Sequence, residues 1–248
     1  LIAERVVLIT GSAKRIGASI AETFHENGWK VIIHHNDSVL EASCLADKLN
    51  AERPKSALSV RADLLASIGV TDLARRALGA FGRLDALINN ASLAIKDDVL
   101  NQGGIEDWNR LFMCNTFAPH QLTYLFRDEL TIRRGSVVNL LDVRATTLNP
   151  FHGWAIYTAS KSALHALTLS AAKELAPDVR VNGISPGITL PFPGEEWDEA
   201  MTEEMQRRGV LNKTATPNDI ADAVYWLTTA GHVTGQVITV DGGESLRW

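Results

Sequence analysis

Cysteine is scarce in this chain. Only Cys44 and Cys114 occur among 248 residues, in no close motif. That excludes a disulfide-built scaffold and reads as two reduced thiols in a cytoplasmic protein. No run of 18 apolar residues occurs, so no membrane-spanning helix is expected. An excess of one charge is missing too: 24 Lys+Arg against 29 Asp+Glu give a net charge of −5, with no basic stripe. Nucleic acid is therefore a poor partner. The seven histidines are scattered, so no metal site is expected. Linkers, repeats and low-complexity tracts are absent. The opening LIAERVVLITGSAKR has too short an apolar run for a signal peptide and continues into patterned structure. Beginning on Leu1 rather than Met, it reads as trimmed.

What is present is a core. Hydrophobic residues make up 46% of the chain, too many for disorder and enough for one domain spanning 1–248. Short β-branched runs recur at 5–10, 30–35, 56–61, 84–89, 135–141, 179–185 and 236–241. Their continuous apolar character suits strands buried on both faces. Helical periodicity fills the intervals at 16–27, 38–50, 67–81, 105–128, 154–175 and 217–230, with Gly28 as a plausible cap. Strand and helix in alternation predict an α/β fold, a doubly wound parallel sheet of about seven strands with helices on both faces. Residues 186–214 break the rhythm with PGITLPFPGEEW. A long insertion after a strand's carboxyl end overlies the ligand crevice of such a sheet, so this segment reads as a substrate loop or lid.

The turn TGSAKRIG, Thr10 to Gly17, follows the first strand and opens a helix. Gly11 allows the tight turn, and Gly17 lets helix and strand approach. Amide groups at the helix start would face a pyrophosphate. The spacing is G-x5-G, without the third glycine of G-x-G-x-x-G. Lys14 and Arg15, two cations at this loop, suggest an extra phosphate, as on the 2′ position of NADP. The second strand ends HHNDS, where an NAD-type site usually carries an acid for the ribose. His34, His35 and Asn36 occupy the expected positions and Ser38 is a possible phosphate donor, which favours NADP(H). Asp37 argues the other way, since it would repel a phosphate.

Tyr157 and Lys161 are four apart in a helical stretch, hence on one face. Free tyrosine titrates near ~10, so a donor working near neutrality needs a shift of about 3 units, or ~4 kcal/mol. One ammonium at ~4 Å with an effective dielectric of ~20 supplies about that much. The pair therefore suits proton exchange during hydride transfer.

With LINNAS after the fourth strand, Asn115 in MCNTFAP, and VDGG after the last strand, the sequence resembles the short-chain dehydrogenase/reductase family over essentially its whole length. The matching marks are Thr10–Gly17, Asp63, Asn89–Ala91, Asn115, Tyr157/Lys161 and Pro186–Gly187. The resemblance implies a single-domain Rossmann-type fold. It implies Tyr157 as proton donor, Lys161 on the nicotinamide ribose and tuning the tyrosine, and Asn115 supporting a proton-relay water. It places Asp63 near adenine, and Ile16, Leu64, Asn90, Ala91, Ser92, Pro186, Gly187 and Ile188 around the cofactor. It also implies a homotetramer built through helices 105–128 and 154–175. Trp248 is a further candidate for packing on a neighbouring subunit.

Asp142 is the departure that carries information. Most members of the family have a serine there, donating to a substrate carbonyl. An ionised carboxylate can only accept. It would repel the alkoxide of a reduced ketone but suits a ring bearing N–H donors, such as an amino-pyrimidine. Arg15, Asp142, NNAS and VDGGESL together resemble the pteridine reductase branch, which implies NADPH-dependent reduction of a pterin C=N bond, with Ser92 holding ligand and cofactor. Three positions depart from that branch. Ala94 stands where it has a phenylalanine stacked on the pterin, so Trp154, Phe192 or Trp197 would replace that platform. The stretch from Asp142 to Tyr157 is about two residues longer. Asp37 stands where a basic residue is frequent. Arg144 is placed to pair with Asp142 and neutralise it. The competing expectations are a general carbonyl reductase, for example of 3-oxoacyl thioesters, and a non-catalytic NADP(H)-binding regulator.

Overall fold

The computed structural model describes residues 4–95, 104–148, 152–192 and 194–247. Seven strands form one sheet: β1 (Val6–Ile9), β2 (Lys30–His35), β3 (Ala57–Arg61), β4 (Ala86–Asn89), β5 (Ser136–Leu140), β6 (Arg180–Pro186) and β7 (Val237–Val240). Their order is β3-β2-β1-β4-β5-β6-β7, and every pair is parallel. The apolar runs are strands because each residue has a covered face to point at. Val7 and Ile9 join one core with Phe24, Leu49 and Val224. Val6 and Leu8 point the other way, onto Leu73, Phe126 and Val181.

The first core is closed by α1 (Arg15–Glu26), α2 (Val39–Glu52) and α9 (Pro217–Thr229). The second is closed by α3 (Ser67–Phe81), α5 (Ala118–Arg133) and the far end of α7 (Ala155–Glu174). Gly28, at φ +82°, ends α1 as expected. The helix read as 105–128 is three pieces: α4 (Ile105–Phe112), one π-helical turn (Met113–Phe117) and α5. Periodicity cannot show one inserted residue, and such turns favour functional sites. Asp142 caps the single turn α6 (Val143–Thr146) by accepting from the Arg144 amide at 2.8 Å.

The chain leaves β1 for β2 and β3 on one side, then returns to place β4 on the other. A crevice opens above the carboxyl ends of β1 and β4, where that order reverses. The irregular segment after β6 and α8 (Glu199–Arg208) cover it. Trp248 lies outside the described residues. No described helix is long and apolar enough to cross a membrane.

Candidate active site

The crevice is a cavity of about 1180 Å³. At one end the turn after β1 approaches its neighbours so closely that glycine is required. A Cβ on Gly11, at φ +62°, would lie 2.9 Å from the Ala91 Cα. One on Gly17 would run into the Gly11 carbonyl oxygen and sit 2.7 Å from Asn90 Nδ2. Asn90 staples this turn to the end of β4, donating to the Thr10 and Gly11 carbonyls at 2.9 Å each. No side chain caps α1 and no acid stands in its first turn, which leaves its first amides for an anion. These features fit a dinucleotide pyrophosphate. Gly17→Ala is expected to shift the turn at a cost of about 1–3 kcal/mol, weakening dinucleotide affinity about tenfold or more in a titration; unchanged affinity would refute this placement.

At the end of β2 the ring in the cavity wall is that of His34, not His35. Successive strand residues face opposite sides. His34 Nδ1 accepts from the Gly11 amide at 3.0 Å, and Nε2 meets the Ala62 carbonyl at 3.2 Å. These partners fix a neutral ring with the proton on Nε2, and burial lowers its pKa to about 4. His35 is buried away from the cavity, and Ser38, at the start of α2, is also outside its wall. Asn36, Ile16, Leu64 and Asp63 line it. Asp63 Oδ1 accepts from the Leu65 amide at 2.9 Å. Lys14 lines the mouth and lies 3.7 Å from Glu41. Arg15 does more than face the phosphate turn: at φ +58° its guanidinium donates to the Pro191 carbonyl at 2.6 Å, joining that turn to the segment after β6.

The other end holds the acid and the tyrosine. β5 delivers Asp142 one residue past Leu141, and α7 delivers Tyr157 and Lys161 on one face. The Tyr157 hydroxyl donates to Asp142 Oδ2 at 3.0 Å, while Oδ1 holds the Arg144 amide. Lys161 Nζ, buried, donates to the Leu140 carbonyl at 2.7 Å. Burial raises the Asp142 carboxyl above its usual range, opposed by the Arg144 amide and the Lys161 charge. Burial, then the charge of Asp142 and its hydrogen bond, push Tyr157 well above an ordinary phenol, with the Ser92 hydroxyl acting the other way. Burial brings Lys161 down to about 8. The tyrosine shifts opposite to the depression expected from the lysine: burial first, then its carboxylate partner, favour the protonated phenol.

A family model described as Enoyl-(Acyl carrier protein) reductase matches residues 11–245. The chain belongs to the short-chain dehydrogenase/reductase family. It is 36% identical to Pteridine reductase 1 of Leishmania tarentolae, over 97% of this chain and 96% of that protein. It is also 30% identical to a 3-oxoacyl-acyl-carrier-protein reductase of Staphylococcus aureus, over 95% of this chain and 96% of that one. Members of this family are oxidoreductases that use NAD(P)H.

The Asn115 side chain is fully occupied by protein partners. Its Oδ1 accepts from the Leu93 amide at 2.8 Å and the Ser92 hydroxyl at 3.3 Å. Its Nδ2 donates to the Leu93 carbonyl at 2.8 Å and Ser160 Oγ at 3.0 Å. Fully buried and outside the cavity wall, Asn115 positions the Ser92–Leu93 loop against α7. Ser92, Ala91, Pro186, Gly187 and Ile188 all line the cavity.

Ala94 is in the wall, and an aromatic cluster beside Tyr157 also lines the cavity. The Trp154 ring lies 5.5 Å from Tyr157 and 5.7 Å from Phe192, edge-on to both. Trp197 also lines the cavity. The Arg144 guanidinium is bonded to Glu244, not to the Asp142 carboxylate as the sequence allowed. Glu244, Cys114, Met201 and Met205 are wall residues that sequence reasoning missed. VDGGESL contained Glu244, but nothing in the sequence shows that the last turn folds back over the site.

Proposed function

We propose that this chain reduces a C=N bond of a dihydropterin-type ring with NADPH, Tyr157 giving the proton and Asp142 accepting from ring N–H groups. One observation carries the reading: a half-buried carboxylate, bonded to the tyrosine at 3.0 Å, faces the cavity where a carbonyl reductase needs a donor. A reduced nicotinamide, when bound, supplies the hydride. Tyr157, held protonated, is in the form that donates to the ring nitrogen. Asp142 holds that hydroxyl through its Oδ2, and a proton from solvent restores the phenol after transfer. Lys161 offsets the negative charge of this pair from below. Trp154 and Phe192 offer the apolar wall that Ala94 lacks. Asn36 in the cavity wall and Asp37 exposed outside it support NADP over NAD. Arg61, whose Nε donates to the Asn36 carbonyl at 3.1 Å, brings a second cation to that end.

Steady-state NADPH oxidation tests the reading, with a dihydropterin in one arm, a 3-oxoacyl thioester in another, and NADH as control. Turnover of the dihydropterin is expected. Turnover of the thioester alone overturns the reading. Lys161 is cationic below about 8 and neutral above it. If its charge balances the Tyr157–Asp142 pair, kcat/KM falls as pH rises through about 8. A flat pH profile from 7 to about 9.5 would count against that role.

The same reading extends to assembly as a homotetramer. Phe117, Tyr124 and Ile132 of the central helices are exposed, as is Leu169 of α7, more apolar surface than these helices need for one core. Tyr124→Asp is expected to lower the mass found by light scattering, and an unchanged mass would argue against this face.

A further inference from the structure

Three distant segments meet beside the acid. The Arg144 guanidinium, on the turn that begins at Asp142, is bonded to Glu244 from the last turn of the chain, with the two side chains 14% and 3% exposed. The other Glu244 oxygen accepts from the Ile188 amide, after β6, at 3.2 Å. Both residues line the cavity. Arg144 sits two residues from Asp142, and its own amide is already on that carboxylate. A buried guanidinium without its acid is strongly destabilised and seeks the next one available. Here that is Asp142.

We propose that Glu244 is a positioning residue: it keeps the Arg144 guanidinium engaged away from Asp142, and so keeps that carboxylate open to N–H donors of the substrate. The proposal rests on the reading of Asp142 as the substrate acceptor. The charged and titratable groups around Asp142 are Tyr157 and Lys161 from α7 and Arg144 from its own turn. Among the described residues, those around Arg144 include Asp142, Glu244, Arg208 of α8 and Asp241 after β7. A released guanidinium within ~4–6 Å of Asp142 would lower its pKa by about 1–3 units. It would also occupy the lone pairs that a substrate needs. Burial holds Asp142 above the usual range, and the Arg144 charge opposes it only after the Arg144 amide, Lys161 and Tyr157.

Glu244→Gln tests this, because glutamine still accepts from the Ile188 amide but carries no charge to hold Arg144. The Asp142 titration midpoint, read by carboxyl carbon NMR without substrate, is expected to fall by about 1 unit or more. kcat/KM for a dihydropterin is expected to fall about tenfold or more, mostly through KM. Adding Arg144→Met removes the released cation and should return both readouts toward wild type. A merely structural role predicts that the double variant is no better than the single one. A midpoint unmoved in Glu244→Gln, or no recovery in the double variant, overturns the proposal. Should Glu244→Gln fail to fold, Arg144→Met alone decides. An Asp142 midpoint within about half a unit of wild type supports the proposal. A rise of about 1 unit or more shows Arg144 already acting on Asp142, and overturns it. Because the midpoint is read without substrate, an inactive wild type sinks only the pterin reading.

Discussion

Tyr157→Phe is expected to lower turnover by about a hundredfold or more while leaving dinucleotide affinity nearly unchanged. The substitution removes one hydroxyl. That hydroxyl donates to Asp142 at 3.0 Å and lines the cavity. The ring itself still packs on Trp154, so the wall is preserved. The loss should fall on kcat rather than KM, since an interaction made mainly in the transition state lowers both kcat and kcat/KM. Single-turnover kinetics alongside a dinucleotide titration would check this. A variant retaining more than about a tenth of wild-type kcat would mean that another group gives the proton. Asp142 is then the first candidate.

Asp142→Ser is expected to have the next largest effect, and it acts on the choice of substrate. Serine cannot make charge-assisted bonds to N–H donors, and a site built around such bonds discriminates by about 10⁴-fold or more. Dihydropterin turnover should therefore fall by about two to four orders of magnitude. The serine hydroxyl can donate to a carbonyl, and without the carboxylate the Tyr157 phenol loses the charge and the hydrogen bond that, after burial, raise it. Turnover of a simple ketone or 3-oxoacyl thioester should therefore rise. Measuring both substrates on wild type and variant gives a crossed pattern if the acid sets specificity. A parallel loss on both would show that Asp142 only supports the α6 turn, whose Arg144 amide it holds.

The arrangement of strands was legible because a buried parallel strand needs apolar residues on both faces, and the runs at 5–10 and 84–89 have them. The reach of α5 and the π turn were not, since hydrophobic periodicity is blind to one extra residue between two helical segments. The choice between His34 and His35 is a matter of strand phase. Only the neighbours decide it, here the Gly11 amide on one ring nitrogen and the Ala62 carbonyl at the other. Asn115 was legible as important, but its role as a strut for Leu93 and Ser160 follows from contacts 22 and 45 residues away. Arg15 and Pro191 are separated by 176 residues, and Arg144 and Glu244 by 100. No spacing rule reaches that far.

The sequence by itself determined the alternating fold, the place of the phosphate turn, the shared face of Tyr157 and Lys161, and the presence of an acid where the family mostly has a serine. Each of these is local, set by periodicity, glycine geometry or residue identity. Only the tertiary structure decided the charge states and the partners. A pKa depends on how deeply a group is buried and on which charges converge on it from other segments. Burial brings Lys161 down to about 8, and burial together with the charge of Asp142 raises Tyr157. Asp142 meets Tyr157 across 15 residues, and Arg144 meets Glu244 across 100.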